Sequence, residues 1–206
     1  EHGISDQTIA KFGLLQGHHE KYGDQILFPV KDIEGNFLFN KYRNLAWIKG
    51  GETPKFVYDP GSSAQLYNLQ AIKDSEYAFI FEGEPDVWKA GEDHIPAICS
   101  TSGAGTFEHS WIELLSGKKV LICYDNDPAG QQGIKKILEM LPDALPVALP
   151  EGIKDYCEFR AKHTLRDFQL LVGKVIKENT ITYNEFMQII DKWLLLPDKN
   201  VLKIIF

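Results

Sequence analysis

Lys119-Val-Leu-Ile-Cys-Tyr-Asp-Asn-Asp-Pro-Ala-Gly130 carries two signals in succession. Its first half is a continuous apolar run, the pattern of a strand buried on both faces. Asp125 and Asp127 follow at once. Asp127 suits a helix N-cap and Pro128 the first helical position. Ile134, Ile137, Leu138 and Leu141 then fall at i, i+3, i+4 and i+7, one face of a helix. The stretch therefore reads strand, acidic turn, helix. The same order appears upstream, where Tyr77-Ala-Phe-Ile-Phe81 runs into Glu82-Gly-Glu-Pro-Asp86 and a helix over 84–90. A strand over 95–99, a small-residue turn over 100–106 and a helix over 107–115 repeat it, and 146–149 reads as a fourth strand. Strands alternating with helices predict an α/β fold with a mainly parallel, Rossmann-like sheet and right-handed crossovers.

Outside this block the pattern differs. A helix is expected over 5–12 with Ser5 as its N-cap. Ile26-Leu-Phe-Pro-Val30 and the run from Phe37 to Arg43 flank Gly35-Asn36, a hairpin signal. Further strands are expected at 45–49 and 56–58, and a short helix at 63–72. The tail reads as helical, with capping boxes at Thr164/Asp167 and Thr182/Glu185, the second leading into Phe186, Ile189, Ile190 and Trp193. The organisation expected is a small α+β subdomain over 1–75, the α/β domain over 76–160, and carboxy-terminal helices over 161–206.

Composition excludes several classes. The 206 residues are 44% hydrophobic and 25% charged, an ordinary globular balance rather than a disordered or fibrous one. No apolar run approaches the ~18 residues of a membrane span. Cys99, Cys123 and Cys157 are far apart, form no CxxC pair and build neither a zinc finger nor a disulfide framework. Scattered thiols without a signal peptide suggest a reducing, cytoplasmic location. His18, His19, His94, His109 and His163 show no metal-ligand spacing. The chain starts at Glu1 rather than Met, and a piece of a longer polypeptide is the expectation. The net charge of −7 argues against binding nucleic acid by electrostatics alone. That argument weakens if carboxylates hold divalent cations, which invert the local field.

Acids stand just past the ends of the buried strands: Glu82 and Asp86, Asp125 and Asp127, and Asp155 in Gly152-Ile-Lys-Asp155. In an open parallel sheet ligands bind outside the carboxyl ends of the strands, so all three groups are aimed at one edge. A single Asp at a strand end is usually a cap or a turn residue. Several together suit Mg²⁺ or Mn²⁺, which prefer oxygen ligands, and a pair of such ions can serve phosphoryl transfer. Without cations the clustered carboxylates would repel one another and raise their own pKa values.

Phe81-Glu-Gly-Glu-Pro-Asp86 with Tyr124-Asp-Asn-Asp-Pro-Ala-Gly130 resembles the toprim domain, the catalytic fold shared by DnaG-type primases, type IA and II topoisomerases, OLD-type nucleases and recombination-mediator proteins. The wording is most similar to phage and mobile-element primases and primase–helicases, including the Twinkle-like group. Gly152-Ile-Lys154-Asp155 resembles the primase Gly-Lys-Asp-Pro-Asp-Glu stretch, with Tyr156 at the proline position, Cys157 at the second Asp position and Glu158 retained. Upstream, Gly3-Ile-Ser, Phe12-Gly, Ile26 to Val30, the Gly35 turn, Lys41-Tyr-Arg43, Pro54-Lys-Phe56 and Gln65 to Leu69 follow the order of a primase amino-terminal half. Ser102-Gly-Ala-Gly-Thr106 resembles a toprim turn. The likeness spans about 3–160; the tail carries none.

The resemblance implies a DNA primase core, a DNA-directed nucleotidyltransferase making primers on single-stranded DNA during replication. It implies Glu82, Asp125 and Asp127 as catalytic residues, and Glu82, Asp86, Asp125, Asp127 and Asp155 as holders of a pair of Mg²⁺ or Mn²⁺ ions. Lys41, Arg43, Lys49 and Lys55 would contact template or triphosphate, with Tyr42 and Trp47 beside them for base stacking. Partners implied are single-stranded DNA, nucleoside triphosphates and a replicative helicase in cis or in trans, with no membrane. DnaG-type primases usually carry a separate zinc module, which these cysteines do not supply. The rival readings are a toprim nuclease and a non-catalytic single-strand or helicase-docking module.

Overall fold

In the computed structural model, which describes residues 3–179, the chain opens with helix α1 (Asp6–Phe12). The Ser5 hydroxyl accepts the Thr8 N–H, and Gly13 closes the other end with φ 64°. Four antiparallel strands follow in sequence order: β1 (Leu15–His19), β2 (Gly23–Lys31), β3 (Phe37–Asn44) and β4 (Phe56–Tyr58). The β2–β3 hairpin places Phe28 opposite Lys41 and Leu27 opposite Tyr42. Its turn is held by the Asp32 carboxylate, which accepts the Glu34 and Asn36 amides and the Asn36 side chain.

The second sheet has the order β5-β7-β6-β8-β9, from β5 (Leu66–Tyr67), β6 (Tyr77–Phe81), β7 (Ala97–Ser100), β8 (Lys119–Cys123) and β9 (Leu145–Pro146). All neighbours are parallel except β5 with β7. Helices α2 (Glu84–Glu92), α3 (Pro128–Met140), α4 (Tyr156–Lys162) and α5 (Leu165–Glu178) complete it. Every residue of β6 is buried, and its alternation explains the continuous apolar run. Tyr77, Phe79 and Phe81 enter a core shared with Trp88 of α2, Phe168 of α5 and Phe28, Val30 and Phe39 of the first sheet. Ala78 and Ile80 enter the opposite core, with Trp111 and with Ile134 and Ile137 of α3. The first sheet thus packs into the same apolar layer as the parallel sheet. No helix among the described residues is long and apolar enough to cross a membrane.

Several expected elements differ. Residues 45–49 form exposed turns, not a strand, because Asn44 ends β3. Its side chain accepts from Gln25 Nε2 and donates to the Pro54 carbonyl, and Leu45 and Ile48 face solvent. The helix expected at 63–72 is instead β5 followed by a 3₁₀ turn at Leu69–Ile72, broken by Asn68 at φ 64° with its amide donating to the Ala97 carbonyl. The helix expected at 107–115 closes as two 3₁₀ turns, with i to i+3 bonds such as Trp111 N–H to Glu108 O. Strand β9 is shorter than expected and lies at the sheet edge, where the prolines at 146 and 150 donate nothing. Strand β1 and helix α4 were not expected at all; β1 lacks an apolar alternation. The capping box at Thr164/Asp167 is present. The Thr182/Glu185 box and its helix lie outside the described residues.

Candidate active site

Each acid is placed by the end of a buried element. Glu82 follows β6 directly, and Gly83 turns the chain into α2. Asp86 lies on the first turn of α2 and is 7% exposed. Asp125 follows β8 through Tyr124 and is 8% exposed. Asp127 caps α3 through one oxygen, Oδ1, which accepts both the Ala129 and Gly130 amides. Capping therefore occupies only half of this carboxylate.

Gly130 is needed here for space. A Cβ at this position would lie 2.1 Å from the Asp125 carbonyl oxygen, so α3 rests directly on the acidic turn. Gly130→Ala is expected to lower stability by roughly 2–3 kcal/mol, with Asp125 displaced, as chemical denaturation would measure.

The third acidic segment is stitched to the second by backbone. The Asn126 amide donates to the Lys154 carbonyl at 2.6 Å. Asp155 caps α4, its Oδ1 accepting the Glu158 amide at 2.8 Å, and the Cys157 amide donates to Asp86 Oδ1 at 2.9 Å. One oxygen each of Asp86 and Asp155 and Cys157 Sγ lie within 4.8 Å of one another, a group able to hold a metal ion.

Glu82, Asp86, Asp125, Asp155 and Cys157 line one cleft of about 290 Å³. Asp127 does not line it, but its charge acts on Glu82. Arg43 of β3, Lys55 just before β4 and Phe56 of β4 line the same cleft. Lys55 stands 5.2 Å from the Trp47 ring and 5.3 Å from Phe56, and its pKa is lowered by burial and by the nearby charges of Arg43 and Lys154. Lys41 also lines the cleft but is 2% exposed; its ammonium donates to Glu84 Oε1 at 2.5 Å and to the Thr101 carbonyl at 2.6 Å. Lys49 sits in the exposed turn after β3 and is not among the residues lining the cleft. In the 100–106 turn the Gly103 and Thr106 amides bond to carbonyls within the turn.

Sequence reasoning assigned no role to Lys154. Its ammonium lies 2.7 Å from Asp125 Oδ2 and 3.8 Å from Asp155 Oδ2. The signal was its position beside Asp155, but only the stitched turns reveal that it faces two segments of the acidic group.

The electrostatics are those of acids short of positive charge. Burial, then Asp125 and Asp127, push Glu82 up to about 7. Burial and Asp155 push Asp86 up to about 7. Asp125 is also raised by burial, with Lys154 opposing. Burial and the Asp86 carboxylate push the Cys157 thiol up. Glu82 Oε2 is buried and receives no hydrogen bond. An orphaned carboxylate oxygen beside three further carboxylates fits a divalent cation, and these oxygens are the donors that hard cations prefer. Glu82, Asp86, Asp125 and Asp155 are the residues that would hold it.

These shifts have a pH consequence. Folded-state values near 7 exceed those of the unfolded chain, so between pH ~4 and ~7 the native state binds more protons. In metal-free protein this contribution to stability is present at low pH and is lost as pH rises through 7. Thermal unfolding in chelator should show Tm falling from pH 5.5 to pH 8, and the rise in Tm on adding Mg²⁺ should be larger at pH 8.

The toprim-like family matches residues 79–160, the segment holding every acid described above. The DNA primase of Enterococcus faecalis is 28% identical over 172 residues, covering 75% of this chain. The chain carries a toprim-like segment and is similar to DNA primases. It spans 27% of the length of the Enterococcus primase. Among solved structures, the zinc-binding and RNA polymerase domains of the Aquifex aeolicus primase match this fold with a TM-score of 0.70 at 22% identity, covering 84% of this chain and 53% of that one. The primase fragment of the bacteriophage T7 primase-helicase protein gives 0.68 at 20% identity, covering 83% and 71%.

Proposed function

We propose that this chain is the catalytic core of a DNA primase, joining nucleotides into a primer on single-stranded DNA. The observation that carries this reading is one cleft lined by acids at the carboxyl edge of the parallel sheet and by basic and aromatic residues of the first sheet. Relatives named DNA primase and the primase folds above support it.

In this reading residues 1–75 contact template and nucleotide, and 76–160 hold the acids. A pair of Mg²⁺ or Mn²⁺ ions, when bound, would neutralise phosphate charge and stabilise the attacking and leaving oxygens. Glu82, Asp86, Asp125 and Asp155 would hold them, with the uncapped oxygen of Asp127 as a further donor. Arg43 and Lys55 would bind the triphosphate or template phosphates. Their mutual repulsion, and the lowered pKa of Lys55, are relieved when an anion sits between them. Lys154, freed from Asp125 by a bound cation, would be available to a phosphate. Lys41 acts from below, holding Glu84 and the Thr101 carbonyl in place. Phe56 and Trp47 offer ring faces to an unpaired base. The chemistry is positioning and charge neutralisation, with the 3′-hydroxyl attacking the α-phosphate and pyrophosphate leaving. A helicase partner, in cis or in trans, is in keeping with the likeness to the T7 primase-helicase fragment.

Incubation with single-stranded DNA, labelled ribonucleotides and Mg²⁺ or Mn²⁺ tests the reading. Primer synthesis that lengthens with time supports it. Shortening of labelled DNA would replace it with a nuclease, and metal binding without either product would leave a docking module.

A further inference from the structure

We infer that Asp86, Asp155 and Cys157 form a mixed oxygen–sulfur site for a borderline transition-metal cation of the Co²⁺ or Zn²⁺ class, with Cys157 Sγ as a direct ligand. The inference deepens the metal reading above and rests on it. A toprim cleft built from carboxylates alone would favour Mg²⁺. Here one of the three converging donors is a thiol.

The geometry singles out this cysteine. Cys99 and Cys123 are buried in the core, 0% and 3% exposed, whereas Cys157 lines the cleft. Its amide donates to Asp86 Oδ1 at the first turn of α4, and its thiol is hydrogen-bonded to the same carboxylate. Asp155, two residues earlier, uses Oδ1 for the helix cap, which leaves Oδ2 facing the Lys154 ammonium at 3.8 Å. The three donor atoms lie within 4.8 Å of one another. Ligand atoms on one ion sit no more than ~4.3 Å apart, so the group is already near that scale. A second observation points to an absent cation in the same cleft: Glu82 Oε2, buried and receiving no hydrogen bond.

The chemistry follows from ligand softness. Mg²⁺ and Mn²⁺ gain little from sulfur, while Co²⁺ and Zn²⁺ accept thiolate with imidazole or carboxylate. On binding, the S–H bond breaks, a metal–sulfur bond forms and the proton goes to solvent, with no change in oxidation state. The site therefore selects the cation by its sulfur rather than by its charge.

Co²⁺ alone is the probe, titrated anaerobically into the metal-free chain and followed by absorption and calorimetry. Wild-type protein should develop a sulfur-to-cobalt charge-transfer band in the near ultraviolet. Cys157→Ser should lose the band and bind Co²⁺ at least ~10-fold more weakly. Cys157→Asp should lose the band and bind Mg²⁺ at least ~10-fold more tightly than wild type. Co²⁺ binding to wild type with no sulfur band overturns the inference while leaving the metal reading standing, and needs no variant to fold. A band that survives in Cys157→Ser overturns it as well. Absence of any Co²⁺ binding to wild type overturns the metal reading and this inference together.

Discussion

Glu82→Gln is expected to reduce primer synthesis by about 10³-fold, a loss typical when a charge-stabilising group is removed at a reacting centre. The same change should raise the Tm of the metal-free protein. The two effects have opposite signs for one reason. Glu82 is half-buried beside Asp125 and Asp127, and one of its oxygens has no donor. In the absence of a cation its charge is a burden on the fold, and a neutral amide of the same shape removes it. In the presence of a cation that charge would serve as a ligand. Thermal unfolding with and without Mg²⁺ should therefore show a smaller metal-dependent rise in Tm for the variant than for wild type. Full activity in a well-folded Glu82→Gln protein would remove this residue from the chemistry.

Lys41→Met is expected to destabilise the protein by about 3–5 kcal/mol, since it leaves Glu84 charged, buried and unpaired. Glu84 is 2% exposed, and Lys41 is the cation it meets, at 2.5 Å. The pair joins β3 of the first sheet to the start of α2, and the same ammonium holds the Thr101 carbonyl, which also accepts from the Tyr58 hydroxyl. Lys41→Met with Glu84→Leu should recover most of the loss, because an apolar pair of similar volume needs no charge compensation. Urea denaturation of the single and double variants measures both. Equal instability of the two would mean that Lys41 matters through its contacts with Phe56 and Thr101 rather than through Glu84.

The parallel block was legible because burial leaves a one-dimensional trace. A strand covered on both faces must be apolar throughout, as Tyr77–Phe81 is, and a helix start needs a cap, as Asp127 supplies. Elements stabilised by long-range contacts left no such trace. Strand β1 pairs with β2 by backbone and by the His18–Asp24 contact, and its Gln16, Gly17 and His18 show no apolar pattern. Residues 45–49 look like a strand locally, yet β3 takes β4 as its other neighbour and leaves them in solvent.

The amino-acid order by itself determined that acids follow buried strands and therefore gather at one sheet edge, since side-chain alternation and strand direction are local properties. The folded chain decided what surrounds them. Lys41 and Lys49 are equally basic in sequence, but hairpin register buries one against Glu84 and leaves the other in an exposed turn. Lys154 reaches Asp125, and Cys157 reaches Asp86, because turns far apart in sequence share backbone hydrogen bonds. Electrostatic energy depends on distance and burial, and both are set by packing between segments rather than by the order of residues within one.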